Sequence, residues 1–255
     1  MFKEQLLKIR PRTIVYLFSG GKDSSMALLK TRDIVRDYAR EYNARVYMVH
    51  ITITGNTHPL NVYASASIMF WHKKLYGFEP IFLSSRHVFQ EYMARYGLVI
   101  GVQRWCFQIF KNQVLYEYER TLPRPILEID GISPRDSVKR SIAVKSEFEQ
   151  VQRKNIVLYR WHPLMNYDGD PLDELRRYEE FQPIVKLYEI FSDSLNCVVC
   201  PYKSPKKLIK YHGLEDLSII SNFVSLVMRS EKWKKLFSFT KNKTLLEIDP
   251  VKGDG

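Results

Sequence analysis

Two short segments of the 255-residue chain carry residues that could do chemistry. The first, Ser19-Gly20-Gly21-Lys22-Asp23-Ser24, lies between a short β-rich apolar run and a helical pattern. Its glycines allow a tight turn that brings N–H groups close to an anion, and the positive end of the following helix points at the same place. Serine hydroxyls, a lysine cation and an aspartate that could hold Mg²⁺ complete the segment. This pattern predicts a phosphate-binding loop that is not a Walker loop; a Gly-Gly turn with a Ser/Asp helix cap is the alternative.

The second segment is a Cys-x-x-Cys pair, Cys197 and Cys200, followed by proline. Three cysteines are too few for a disulfide scaffold, and in a reducing compartment such a pair is typical of a metal site or a redox pair. Together with Cys106, the pair could bind a [4Fe–4S] cluster with one iron left open. Zn²⁺ would need a fourth ligand, such as His162 or His212. Three reduced thiols without a metal are the remaining alternative.

The charge of the chain favours a polyanionic partner. Lysine and arginine number 39 against 28 acidic residues, which gives a net charge of +11 and favours such partners. Nine lysines and one arginine lie within residues 203–243, against three acidic residues. This excess predicts a nucleic-acid surface, with a solvated helical face or the surface composition of a high-temperature protein as the alternatives. The candidate nucleic-acid contacts are Lys206, Lys207, Lys210, Lys232, Lys234 and Lys235.

The composition is that of a globular chain. Hydrophobic residues make up 45% and charged residues 26%, which excludes collagen-like and disordered classes. No apolar run approaches the roughly 18 residues that a membrane helix needs, and no signal peptide is recognisable. We therefore expect a cytoplasmic protein that does not associate with membranes.

The hydrophobic pattern shows which elements must position these residues. Strand-like runs occur at 13–18, 46–53, 80–83, 125–129 and 156–161, and helical patterns at 24–42, 60–76, 87–96 and 136–148. Alternation of this kind predicts a doubly wound α/β fold with a parallel sheet. Beyond Asp170 the strand signal fades, and amphipathic stretches at 204–211 and 214–237 predict helices. The expected units are a nucleotide-binding domain over 1–169 and, over 170–255, the Cys-x-x-Cys segment with a basic helical portion.

Several motifs, in order along most of the chain, resemble those of a known family. Ser19-Gly20-Gly21-Lys22-Asp23-Ser24 resembles the signature of the PP-loop ATP pyrophosphatases. Further segments resemble the branch similar to phosphoadenylyl-sulfate (PAPS) reductases: Thr54-Gly55-Asn56-Thr57-His58-Pro59, Arg104-Trp105-Cys106, Gly131-Ile132 with Arg140, Trp161-His162-Pro163-Leu164, and Asn196-Cys197-Val198-Val199-Cys200-Pro201.

The resemblance implies an adenine nucleotide α-hydrolase-like fold that binds ATP or PAPS with Mg²⁺. It also implies cleavage of ATP to AMP and pyrophosphate to adenylate an acceptor, for sulfur insertion into tRNA or DNA with a sulfur-donor protein. The oligomeric state is left open. Residues expected at the nucleotide are Ser19, Gly20, Gly21, Lys22, Asp23, Ser24, Thr54, Gly55, Gly131, Arg135 and Arg140, with Lys22, Asp23 and Arg140 as catalytic residues. For Arg140, an ion pair with Asp136 is the alternative.

Three features depart from the family pattern. Ile53 replaces the usual acid before the Thr-Gly motif, and Ser133 stands where an anion-binding arginine is common, with Arg135 as a substitute. Residues 241–255 contain no cysteine, whereas the true reductases resemble one another in a C-terminal catalytic cysteine. A PAPS or adenylyl-sulfate reductase is therefore the second hypothesis, and a nucleotide- or nucleic-acid-binding module without catalysis is the third.

Overall fold

A six-stranded sheet forms the centre of the computed structural model, which describes residues 2–97, 104–133, 146–198 and 200. The strands are β1 (Thr13–Leu17), β2 (Arg45–Thr52), β3 (Glu79–Ser84), β4 (Ile126–Ile129), β5 (Phe148–Arg153) and β6 (Ile156–Trp161). Their order across the sheet is β3-β2-β1-β4-β6-β5. Neighbouring strands are parallel except for the edge strand β5, which runs antiparallel to β6.

Helices connect and cover these strands. They are α1 (Phe2–Ile9), α2 (Lys22–Tyr42), α3 (Pro59–Tyr76), α4 (Phe89–Tyr96), α5 (Trp105–Phe107), α6 (Gln113–Glu119), α7 (Pro171–Leu175) and α8 (Gln182–Phe191). A π-helical turn joins α5 to α6, and a 3₁₀ turn precedes α8. The ends of α2 and α3 follow local rules, because Asn43 and Gly77 stop them in the left-handed conformation. In the described part of the chain, no helix has the length and apolarity to span a bilayer.

The strand order creates a switch point between β1 and β4. From β1 the chain winds outwards through β2 and β3, and then returns to the other side of β1 with β4. In such sheets, ligands bind beyond the carboxyl ends of the strands at the point where the winding reverses. The doubly wound α/β fold predicted from the sequence is confirmed. The Gly20-Gly21 segment follows β1 and Gly131 follows β4, so both lie at the switch point.

Strand β1 is buried on both faces of the sheet, as a central parallel strand should be. Ile14 and Tyr16 belong to the larger core cluster on the side of α2 and α3. Val15 packs on the opposite face in a smaller cluster that includes Leu115 of α6. These two layers hold the carboxyl end of β1, and hence the loop that follows it, in a fixed position.

One sequence prediction at the sheet edge is wrong. A helix is expected over 136–148, but Phe148, its predicted last residue, is the first residue of strand β5. Phe148 stacks on Trp161 of β6 with ring centroids 5.0 Å apart, and polar residues alternate along this exposed edge. The remainder of that predicted helix, residues 136–145, lies outside the described residues, as do the helices expected at 204–211 and 214–237.

The segment after residue 170 packs on the same core as the sheet, as far as it is described. Leu175 of α7, Phe181, and Ile184 and Val185 of α8 are buried in one cluster with β1 and α2. Residues 171–198 therefore contribute directly to the stability of the sheet. The domain boundary near Asp170 stays a prediction.

We expect Ile184→Ala to lower the free energy of unfolding by about 2 to 5 kcal/mol, because it removes a fully buried side chain from the shared core. Ile190→Ala changes a mostly exposed residue of the same helix and is the matched control. Urea denaturation followed by circular dichroism measures both. A loss for Ile184→Ala no larger than that for Ile190→Ala would show that α8 does not stabilise the sheet.

Candidate phosphate-binding site

A cavity of about 470 Å³ lies at the switch point between β1 and β4. Its polar lining comes from the loop after β1, from the end of β4 and from four cationic side chains. Leu17, Val49, Ile51, Phe107 and Leu115 form an apolar part of its wall. A cavity of this size, with one apolar part and a few convergent polar groups, is typical of small-molecule sites, which measure roughly 300 to 1,000 Å³.

The loop after β1 brings the start of α2 to the cavity. Gly20 has a φ of +69°, and a side chain there would place its Cβ 2.0 Å from Ser65 Oγ of α3. Only glycine meets both conditions. Gly21 N donates to Ser24 Oγ at 3.2 Å, and the Ser19 and Ser24 hydroxyl oxygens are 3.1 Å apart. The loop therefore collects backbone N–H groups and hydroxyls at the N-terminus of a 21-residue helix, which is where an anion is favoured.

Gly131 packs directly on the first turn of α2. A Cβ at this position would lie 2.5 Å from the backbone nitrogen of Ser24. The absence of a side chain therefore lets the chain leaving β4 touch the loop after β1. Asp130 comes before this contact, lines the cavity, and accepts a hydrogen bond from Ile132 N at 3.0 Å.

Lys22 and Asp23 form an ion pair at the start of α2, with Nζ and Oδ1 2.9 Å apart and both side chains about one-third exposed. Asp23 lines the main cavity, whereas Lys22 lines a second cavity of about 350 Å³, which Asp23 also borders. Ser133 lies in the wall of that second cavity. Both cavities therefore border the start of α2.

Tyr188 of α8 is a neighbour of the loop that the sequence did not indicate. Its hydroxyl accepts a hydrogen bond from Lys22 N at 3.3 Å. Burial raises the pKa of Tyr188 to about 12, so the phenol stays neutral. Because this hydroxyl is neutral, it does not repel an anion bound in the cavity.

Arg104, Lys111, Arg153 and Arg160 are the cationic side chains that line the main cavity. Each comes from a different turn or strand. The spacing of these residues along the sequence therefore does not predict that they lie around one cavity. The sequence assigned this role instead to Lys22, Arg135 and Arg140. The last two lie outside the described residues.

Two of these cations are held by a buried carboxylate, in a group we call the Glu128 cluster: Glu119, Glu128, Arg153 and Arg160. Arg153 donates to both carboxylate oxygens of Glu128, at 2.6 and 3.2 Å, and also binds Glu119. Arg160 donates from Nε and Nη2 to Oε2 of Glu128, both at 2.9 Å. The contacts fix the two guanidinium groups in the cavity wall.

The two carboxyl groups of the Glu128 cluster have pKa values shifted in opposite directions. Burial raises the pKa of Glu119, and the neighbouring Glu128 adds to that effect. Burial would also raise the pKa of Glu128, but its hydrogen bond with Glu119 and the charges of Arg153 and Arg160 together lower it. Glu128 therefore holds the negative charge more readily than Glu119 does. Arg160 also lies 3.7 Å from Asp130 Oδ2 and 3.5 Å from Glu149 Oε1, so its charge is shared among several carboxylates.

His162 lies between two carboxylates in the interior. Its Nδ1 is 2.8 Å from Asp130 Oδ1, and its Nε2 is 3.2 Å from Glu149 Oε1. Burial alone would lower the pKa of His162, but the hydrogen bonds and charges of Asp130 and Glu149 raise it. Both ring nitrogens are engaged, which leaves none for zinc in this arrangement.

The Thr54-Gly55 turn lies at the end of β2, but neither residue is among those that line the main cavity. Thr54 O accepts a hydrogen bond from Phe89 N at 2.9 Å, and Gly55 O accepts one from Gln90 Nε2 at 2.8 Å. These two hydrogen bonds connect the turn after β2 to the N-terminal end of α4. Ile53 is buried in the core.

Cys197 and Cys200 are close enough to Cys106 to influence its pKa. Burial raises the pKa of Cys106, and the neighbouring Cys197 and Cys200 add to the increase. Cys197 Sγ is 3.6 Å from Asn196 Oδ1, which belongs to the cavity wall. Among the residues that the structure describes, no group of three or more His, Cys, Asp or Glu side chains is placed to hold a metal ion. The metal site stays a prediction, and the six lysines expected at nucleic acid lie outside the described residues.

No protein-family model matches this chain, and no curated protein matches it. Among solved structures, it is similar to the phosphoadenylyl-sulfate (PAPS) reductase from Candida auris, in a phosphate complex. The TM-score is 0.34 and the identity 13%, with 71% of this chain and 74% of that chain covered. A similarity of this degree says nothing about ligand or reaction, so both must come from the site itself.

The position of His162 predicts a pH dependence of stability. Because its folded-state pKa is raised, its stabilising effect is complete below its unfolded pKa of about 6.5 and is lost as pH rises through the folded value. Urea denaturation at about pH 6 and about pH 9 should therefore show a smaller loss of stability for His162→Gln than for the wild type. His87→Gln, at an exposed histidine, should keep the wild-type loss. Equal losses in all three proteins would contradict the ion pairs.

A second prediction concerns the thiols. If Cys106, Cys197 and Cys200 bind one metal or cluster, replacing any of them by serine should remove most of it, because few ligands remain. Iron, sulfide and zinc analysis of anaerobically purified protein measures the content. Negligible metal in the wild type, or unchanged metal in Cys106→Ser, would rule out a shared site.

Proposed function

We propose that this protein is an enzyme that binds ATP with its phosphates at the Ser19–Ser24 loop and transfers the adenylyl group to an acceptor. The observation that carries the proposal is the strand-loop-helix arrangement, in which Gly20 and Gly131 bring the N-terminus of α2 into the cavity at the switch point. An anion at this place would meet backbone N–H groups, hydroxyls and the positive end of a long helix.

The proposed reaction is a substitution at the α-phosphorus. An acceptor nucleophile forms a bond to this phosphorus, and the bond to the oxygen that bridges the α- and β-phosphates breaks. Pyrophosphate leaves with the electron pair, and the proton of the acceptor passes to solvent. Such a step needs positioning and charge neutralisation rather than a protein nucleophile.

Two features of the cavity support a nucleotide. Its apolar wall, which includes Val49, Ile51 and Phe107, offers a surface for a base. Arg104, Lys111, Arg153 and Arg160 place cationic side chains along the rest of the wall. Because Arg153 and Arg160 are held by Glu128, they would require little reorganisation when a polyphosphate binds.

Mg²⁺ would bind at Asp23, which lines the main cavity. Oxygen ligands of this kind, together with substrate phosphates, are what Mg²⁺ prefers. Lys22, paired with Asp23, would add a cation next to the phosphates. In this arrangement Lys22 and Asp23 act on the leaving pyrophosphate, and Ser19 and Ser24 donate hydrogen bonds to it.

For the acceptor we propose a nucleic acid, tRNA or DNA, that receives sulfur after adenylation. The net charge of +11 supports a polyanionic partner. The second cavity, beside Lys22, borders the same helix start, and in this proposal it admits the acceptor without displacing the nucleotide. The neighbouring thiols Cys106, Cys197 and Cys200 supply no step of the adenylation.

Lys22→Ala should lower kcat/KM for pyrophosphate release from ATP by about tenfold or more, because a cation beside the phosphates is lost. Lys30→Ala removes an exposed lysine from the same helix and should leave the rate unchanged. Release of pyrophosphate with tRNA or duplex DNA as acceptor is the measurement, and sulfite release from PAPS is assayed in parallel. Sulfite release without pyrophosphate release would contradict the proposal and support the reductase hypothesis. Nucleotide binding without release of either product would support a binding module without catalysis.

A further inference from the structure

Two buried asparagines bind the backbone carbonyl groups of the phosphate loop. Asn61 of α3 lies with its Nδ2 3.4 Å from Ser19 O, 3.4 Å from Gly20 O and 2.8 Å from Ser194 O. Asn196 donates from Nδ2 to Ser19 O at 2.9 Å. The two residues are 135 positions apart in the chain, and Asn196 Nδ2 also donates to Asn61 Oδ1 at 3.4 Å.

The orientation of the Asn196 amide is fixed by its neighbour. Lys111 Nζ donates to Asn196 Oδ1 at 2.8 Å. A lysine ammonium is a donor only, so this contact assigns the oxygen of the amide to Lys111 and leaves the NH₂ group for Ser19 O. The backbone around Asn196 is held as well, since its carbonyl accepts a hydrogen bond from Thr57 Oγ1 at 2.8 Å.

Holding a carbonyl also orients an N–H group. In a trans peptide the C=O and the N–H of the next residue point in opposite directions. With the carbonyls of Ser19 and Gly20 bound by asparagines, the N–H groups of Gly20 and Gly21 point away from these side chains. Gly21 N–H accordingly donates to Ser24 Oγ, a group in the wall of the main cavity.

We infer that Asn61 and Asn196 are positioning residues, which bind the loop carbonyls and thereby keep its N–H groups directed towards a bound phosphate. The inference rests on the proposed function, which it extends to residues that touch the loop and not the reacting atoms. It also gives the segment before Cys197 a role, because Asn196 connects that segment to Ser19 and to Lys111.

The test uses Asn61→Asp and Asn196→Asp, which keep the shape of the side chain but remove its NH₂ donor. Asn112→Asp is the matched control, because Asn112 lines the same cavity and its amide binds Gln108 rather than the loop. Amide hydrogen exchange of the peptide covering residues 18–25 reports on the loop. Calorimetric titration with inorganic pyrophosphate reports on anion binding.

Both test variants should exchange about tenfold faster in this peptide and bind pyrophosphate about tenfold more weakly than Asn112→Asp, with β1 and β4 as protected as in the wild type. Exchange and affinity equal to those of the control would overturn the inference. Faster exchange throughout β1 and β4, with unchanged affinity, would show a structural role only. If an aspartate variant does not fold, Asn196→Ala, which removes the donor without adding a charge, is judged by the same outcomes. Should the wild type bind neither pyrophosphate nor ATP, the proposed function fails while loop exchange still decides the role of the asparagines.

Discussion

The site depends on how closely three stretches of backbone approach one another at the switch point. The loop after β1 lies against α3 at Gly20, and the chain leaving β4 lies against α2 at Gly131. At Gly131 a methyl group would lie 2.5 Å from the backbone nitrogen of Ser24, so the end of β4 and α2 would have to separate. At Gly20 it would meet Ser65 Oγ at 2.0 Å and Asn61 Nδ2 at 2.7 Å, so these side chains of α3 would have to move. The cavity, the exposure of the helix N-terminus and the position of Asp130 all follow from these contacts.

The ion pairs around the cavity fix the positions of charged side chains more than they stabilise the fold. A buried ion pair loses nearly as much in desolvation as it gains in attraction, so the contacts of Glu128 with Arg153 and Arg160 add little to the folding free energy. They do hold two guanidinium groups at fixed places beside the cavity. His162 does the same for Asp130 on the neighbouring part of the wall. A preorganised set of charges of this kind suits a polyanionic ligand.

Local sequence patterns were sufficient for the parallel strands and for the loop, because each is encoded within a few consecutive residues. The strand β5 was missed, since one face of this edge strand is polar and its apolar run is short. The site residues include Asn61, Tyr188 and Arg160, which come from three separate elements. Their roles depend on contacts between residues far apart in the chain, which no local sequence pattern predicts. For His162, the sequence offered no partner, and the structure supplies two carboxylates.

The most direct measurement of the central claim is a crystal structure of the protein with Mg²⁺ and a non-hydrolysable ATP analogue that carries a methylene group between the α- and β-phosphates. The account predicts that the β- and γ-phosphates accept hydrogen bonds from the N–H groups of Gly20 and Gly21. It also places the α-phosphorus at the boundary with the second cavity, open to an acceptor. A triphosphate bound away from the Ser19–Ser24 loop, with Gly21 N–H still donating to Ser24 Oγ, would contradict it.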